Sequence, residues 1–440
     1  MNERTSRRAF LAAAAGGLAG LAGCGGQQTS TTTTSTQTTT ASPDVAAPTK
    51  ASQTAESVAW RWDFGVPLLR PAEVDGSLVV TTTFEGAVYT DQPMETYPKG
   101  AAASFDPASG ERAWFENLPR PAMGPAFVHG GRLFQVGGWH GDTARVHEQV
   151  RAIGADGSVK WRVEGPENTT VDLLDVGDQG VFVGTRGGEY GDSGHQAFAF
   201  RRTNGSEAWK ADAGDIGNGA LAGDSLLTTR AGGRTHTTAF ATSDGTRRWG
   251  ADAKLLTDPY GNALTNGSVV ALAAPDGSEL YGRDVTTGER VWTYPGNTGS
   301  AAPSTDTLVL PFGSSVVALD PASGIERWSK DLGSPLRDTP VVGDQTVYAA
   351  VDGGATYALA LSDGSEQWSA QSSGTRPVAT AGESVVAHGS REGTGVLRSY
   401  ASADGSVQWS YTADASLSLP TTVDGSVYAG STGGAFLAFE

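Results

Sequence analysis

Cysteine is nearly absent: the 440 residues hold only Cys24, so no disulfide can form within the chain. The same scarcity excludes a Cys-x-x-Cys-His haem attachment. Lysine is rare, six residues against 25 arginines, and 31 basic residues face 48 acidic ones. A formal charge of −17 leaves no overall basic footprint, so nucleic acid is not an expected partner. Beyond residue 56 no stretch keeps a 3.6-residue apolar period, and long helices are not expected. Gly-x-Ser-x-Gly and His-Glu-x-x-His are both missing. Carboxylates are plentiful but scattered through turn-like segments, so no glycosidase-like pair stands out.

What the chain has is glycine, 60 residues of it, and a strict repeat built on it. Eight times a glycine is followed four residues later by a tryptophan, from Gly110/Trp114 to Gly405/Trp409. Successive tryptophans are 47, 48, 40, 43, 36, 40 and 41 residues apart. A period of roughly 40–45 residues is that of a four-stranded propeller blade. Residues 329–368 show the unit: short runs rich in valine, tyrosine and alanine, separated by Asp/Gly turns, with Gln367-Trp-Ser opening the fourth strand. Asp156, Asn204, Asp244, Asp363 and Asp404 precede the turn glycine, which suits a hairpin position needing positive φ. One tryptophan per unit is more than any stacking site needs. Trp114, Trp161, Trp209, Trp249, Trp292, Trp328, Trp368 and Trp409, with Trp62 near the N-terminus, therefore read as packing between neighbouring blades.

Asp320-Pro-Ala-Ser-Gly-Ile-Glu-Arg-Trp, preceded by Val316-Val-Ala-Leu, resembles the core of PQQ-like β-propeller repeats. Phe105-Asp-Pro-Ala-Ser-Gly-Glu-Arg-Ala-Trp and Asp284-Val-Thr-Thr-Gly-Glu-Arg-Val-Trp carry the same core, and the resemblance runs from about residue 57 to the end. The family includes quinoprotein dehydrogenases and BamB-type scaffold lipoproteins. The resemblance implies an all-β propeller of eight four-stranded blades, whereas a literal count of repeat units gives nine. Ala59-Trp-Arg-Trp supplies a fourth strand to the three carried by residues 419–440, so pairing of the two ends closes the ring.

The N-terminus reads as an address. Ser6-Arg7-Arg8-Ala-Phe-Leu resembles a twin-arginine (Tat) export signal, and the apolar stretch 9–21 is too short for a confident membrane span. Leu21-Ala-Gly-Cys24 resembles a lipobox, which implies lipidation of Cys24. The organisation expected is a signal peptide at 1–24, a disordered Thr/Ser-rich tether at 25–56 and a propeller at 57–440. Loss of residues 1–24, which hold three arginines and one glutamate, takes the charge from −17 to −19. High acid content with scarce lysine resembles the proteins of salt-loving archaea, where salt screens the repulsion.

The quinoprotein branch implies PQQ with calcium over a ring of adjacent linked cysteines and an active-site aspartate. This chain lacks such cysteines and any matching segment, so neither cofactor is expected, and no metal site is assigned. The uneven feature is the connection between second and third strands, long in the first three units at residues 83–101, 137–147 and 186–196. Insertions gathered on one face often mark the binding face of a repeat protein. Trp139, His140, Arg145, His147, Arg186, Tyr190 and His195 fall there, residue types suited to partner binding, and Arg230, His236 and His388 read as lying in the same class of loop, Arg230 being counted with the rim. The expectation is a non-catalytic scaffold, lipid-anchored on the outer face of the cytoplasmic membrane, monomeric, binding an extracytoplasmic protein or a cell-surface glycan. Two alternatives stand beside it: a quinoprotein-like or hydrolytic enzyme on the same propeller, and a passive structural protein of the envelope.

Overall fold

A computed structural model describes residues 44–440, apart from 53–54, 85–98, 141–145, 167–168, 188–194, 215, 231–235, 297–300, 304–305, 373 and 392. The described residues contain no helix and form nine antiparallel sheets. Eight are four-stranded meanders in sequence order, here blades 1 to 8, spanning residues 72–118, 127–164, 169–212, 216–251, 254–295, 302–331, 341–371 and 376–413. Blade 9 takes three strands from residues 421–439 and its fourth from Val58–Asp63, with Thr49–Ala51 added outside as a fifth. The ring thus closes through its two ends, as expected. It has the nine units of the literal repeat count, one more than the resemblance implies.

First strands of neighbouring blades lie against one another and line the axis, while fourth strands face outward. The links from second to third strand, and from each blade to the next, share one face, here the loop face. The tight turns from first to second and third to fourth strand share the other, here the turn face. Nine apolar clusters hold the ring, each at a boundary between two blades. Between blades 3 and 4, for example, Leu174, Phe182 and Trp209 pack with Ile216, Leu226 and Phe240.

The Gly/Trp repeat explains this packing. Each fourth strand carries a bulge next to its tryptophan, seen where Trp209 faces Ala199 and Glu207 faces Phe200. The bulge re-aims the side chain towards the next blade. There the indole N–H donates to a turn carbonyl: Trp161 to Arg202 O at 2.7 Å, Trp209 to Thr242 O at 2.8 Å, Trp328 to Leu361 O at 2.8 Å. The glycine of that turn lies flat on the ring. Gly245 has φ 74°, and a Cβ there would come within 2.6 Å of Trp209. Glycine is thus required twice, for positive φ and for space.

Blade 9 brings a correction. Its belt position is held by Trp60, not Trp62. Trp60 faces Ala438 across the same kind of bulge, is 4% exposed, and lies under Gly110. Trp62 is only half-buried, donates to Gly110 O at 2.9 Å, and carries the Arg112 guanidinium over its ring. Trp409, which has no following glycine turn, stacks on Phe439 at 5.1 Å.

Candidate functional site

The loop face is uneven in the way the repeat spacing suggests, but its relief differs in kind. Blade 2 carries an extended hairpin: strands Arg132–His140 and Val146–Gly154 run nine residues each, against five or six in the middle strands of blade 7. Residues 137–140 and 146–147, read as loop from sequence, continue the ladder, with Trp139 opposite His147 and His140 opposite Val146. Blade 8 has a similar hairpin, Ser384–Arg391 with Thr394–Ala401. His388 therefore does not lie in a loop. It is 4% exposed, its Nε2 is 3.2 Å from Leu417 O, and burial holds its pKa below the usual imidazole value.

Of the rim residues, Arg186, His195 and Arg230 are described in full. Arg186 ends a strand of blade 3 and pairs with Asp172 at 2.8 Å. His195 lies just before the next strand and is half-buried. Arg230 is exposed at the end of a blade 4 strand, and its backbone N–H donates to His236 O at 2.8 Å. His236 in turn meets Asp252 at 2.8 Å. Trp139, His140 and His147 are placed by their backbone alone. Arg145 and Tyr190, like Arg7, Arg8 and Cys24, lie outside the described residues.

Under this rim, blades 1 and 2 are stapled by arginines. Arg151 is fully buried, donating to Arg120 O at 2.7 Å and Gln135 Oε1 at 3.2 Å. Burial, aided by the nearby Arg120 charge, pushes its pKa down to about 9. Arg120 itself pairs with Glu164 at 2.7 Å.

The axis holds a feature that sequence reasoning missed. In blade 4 the innermost strand is continuous, Ile216–Ala222. In blade 5 it begins with Lys254–Leu255 and resumes at Leu264, whose backbone bonds to Leu256 and Ala271 keep the ladder in register. Between them, residues 257–263 leave the sheet as a small hairpin closed by the bridge Thr257 to Ala263. Asp258 builds its tip, accepting the N–H groups of Tyr260 at 2.9 Å and Asn262 at 2.8 Å, while Gly261 takes φ 93°. Tyr260 then reaches blades far from its own. Its hydroxyl donates to Val378 O of blade 8 at 2.7 Å. Arg70, just before blade 1, lies over its ring at 4.3 Å and donates to Pro420 O at 3.3 Å. Burial raises the Tyr260 pKa and lowers that of Arg70. A hairpin from blade 5 that reaches blade 8 and the segment leading into blade 1 crosses the central channel.

This bears on the calcium-bound quinone of the quinoprotein branch. The axis is spanned by the chain itself, and among the described residues no three His, Cys, Asp or Glu side chains converge as metal ligands. The described residues along the axis do not fit that group. On the turn face an open groove of about 1010 Å³ is lined by Asp306, Arg327, Asp344 and Thr380 among others. Arg327 there is engaged by Asp306 at 3.3 Å and Asp320 at 2.9 Å.

Residues 193–389 and 298–440 match the family model described as outer membrane protein assembly factor BamB, together more than half of the chain. The chain belongs to this family of PQQ-like β-propellers. Similar solved structures include BamB from Moraxella catarrhalis, 15% identical with a TM-score of 0.49 over 90% of this chain and 100% of that one. They also include the quinohemoprotein alcohol dehydrogenase of Comamonas testosteroni, 13% identical with a TM-score of 0.47 over 87% of this chain and 76% of that one. Sqt1 of Saccharomyces cerevisiae is 11% identical with a TM-score of 0.48 over 86% and 97% of the two chains. A search of curated proteins found no match.

Proposed function

We propose that this protein is a membrane-anchored, extracytoplasmic scaffold that binds a protein or glycan partner on the loop face of blades 1 to 3 and performs no chemistry itself. The observation that carries the reading is the axial hairpin. A propeller offers two natural concavities, its channel and its loop face, and here the chain's own Tyr260 crosses the first. The elaborated loop face is what remains to distinguish one blade from another. An assembly factor is also what the family description names. In this reading Cys24 carries the lipid, Arg7 and Arg8 direct export, and Arg186, His195 and Arg230 belong to the binding rim.

The test is affinity capture from solubilised membranes with three baits. These are the native protein, a loop-face variant (Trp139→Ala, His140→Ala, Arg186→Ala, Arg230→Ala) and a turn-face variant (Asp344→Ala, Glu383→Ala). A partner retained by the native and turn-face baits but lost from the loop-face bait supports the reading. Equal recovery on all three removes the rim.

A further inference from the structure

We propose that the loop face is the side of the disc turned towards the lipid bilayer, held there by a strap formed by residues 44–51. This rests on the lipid-anchor reading of Cys24. Thr49–Ala51 pairs with Val58–Asp63 and covers the outer edge of blade 9. Upstream, the strap runs along the outer strand of blade 1. Pro48 is buried and its carbonyl accepts from Arg112 Nη1 at 3.0 Å, and the Val45 N–H donates to Asn117 Oδ1 at 2.9 Å. Asp44 then meets Lys99 Nζ at 2.7 Å. Lys99 immediately precedes the strand Gly100–Phe105, so it stands at the foot of blade 1's long loop. Asp44, the first described residue, therefore stands at the loop face, beside the rim.

The 19 residues between Cys24 and Asp44 set the leash. A chain of that length reaches at most roughly 65 Å when fully extended. A lipid at Cys24 thus keeps that edge of the loop face near the bilayer.

The experiment uses the full-length lipidated protein on phosphatidylcholine/phosphatidylglycerol vesicles carrying a headgroup energy acceptor. A donor dye is placed at Arg230→Cys on the loop face or at Asp344→Cys on the turn face, with Cys24 blocked by its lipid. The expected result is flotation of both proteins with the vesicles and at least twofold stronger transfer from position 230. Flotation with equal transfer, or stronger transfer from 344, overturns the orientation while leaving the anchor standing. Failure to float overturns the anchor and the proposal with it. Releasing the strap with Lys99→Ala, Arg112→Ala and Asn117→Ala should shrink the difference between the two positions without altering flotation. An unchanged difference would overturn the strap's part in the proposal.

Discussion

The periphery of this ring and its axis obey different rules. At the periphery every blade but blade 8 repeats one contact, a tryptophan pressed under the glycine of the next turn, and the interface between blades 3 and 4 differs little from that between blades 6 and 7. At the axis the repeat is interrupted. One first strand is a continuous run, Ile216–Ala222, and its neighbour is split by a hairpin that reaches across the ring. Repetition therefore marks the part of the molecule concerned with stability. Departures from it mark the parts where a ligand, a partner or a closure is decided.

The comparison can be broken most forcefully at the belt. Trp209→Ala removes a ring that is 7% exposed, packed between two blades and bonded to Thr242 O. It should cost about 3–5 kcal/mol in denaturant unfolding. A loss below about 1 kcal/mol would show that the belt does not hold the blades together. Gly245→Ala should cost about 3 kcal/mol, combining a forced positive φ with overpacking against Trp209. In the Trp209→Ala background the same change should cost clearly less, since the clash has gone; additivity in that double-mutant cycle would refute the contact.

The axis should be less costly to alter. Tyr260→Phe removes one hydrogen bond to Val378 O and should cost about 1 kcal/mol. Excision of residues 257–263, joining Leu256 to Leu264, restores the uninterrupted first strand seen in blade 4 and should leave a folded ring. An unfolded product would mean that the hairpin is part of the frame and not an addition to it.

A smaller effect is set by pH. Arg327 and Ser323 hold the Asp320 carboxyl down at about 2, and Lys160 and Ser158 do the same for Asp156. Their folded values lie below the ordinary value of 3.8, so their stabilisation is fully present above that pH. It is lost as pH falls towards about 2. The melting temperature should accordingly drop between pH 4 and pH 2, and Asp320→Asn should flatten part of that slope. A melting temperature of the wild type that does not change across this window would contradict the assignment.

The periphery was almost wholly legible because its physics is written at a fixed period. Glycine at a positive-φ turn and tryptophan four residues later can be counted without knowing the fold. Trp60 and Trp62 show the limit of that reading. They stand two residues apart on one strand, and only the bulge opposite Ala438 decides which enters the belt. His388 was misread because the second-to-third-strand link was assigned by its length. The alternation from Ser384 to Arg391 continues the ladder through what looked like a loop. The axial hairpin escaped for a different reason. Blade 5 combines a seven-residue insertion with the short link Ala274-Pro-Asp-Gly-Ser278, so its tryptophan spacing of 43 residues looks ordinary. Asp258-Pro-Tyr-Gly-Asn262, a strong turn signature inside what should be one strand, was the available signal.

The most direct measurement is the affinity of the captured partner for three purified proteins: the wild type, the hairpin excision lacking residues 257–263, and the loop-face variant. The account predicts that excision leaves the dissociation constant within about twofold, while the loop-face variant weakens binding by tenfold or more, about 1.4 kcal/mol. Binding that survives the loop-face changes but is lost with the hairpin would place recognition at the axis and contradict the account.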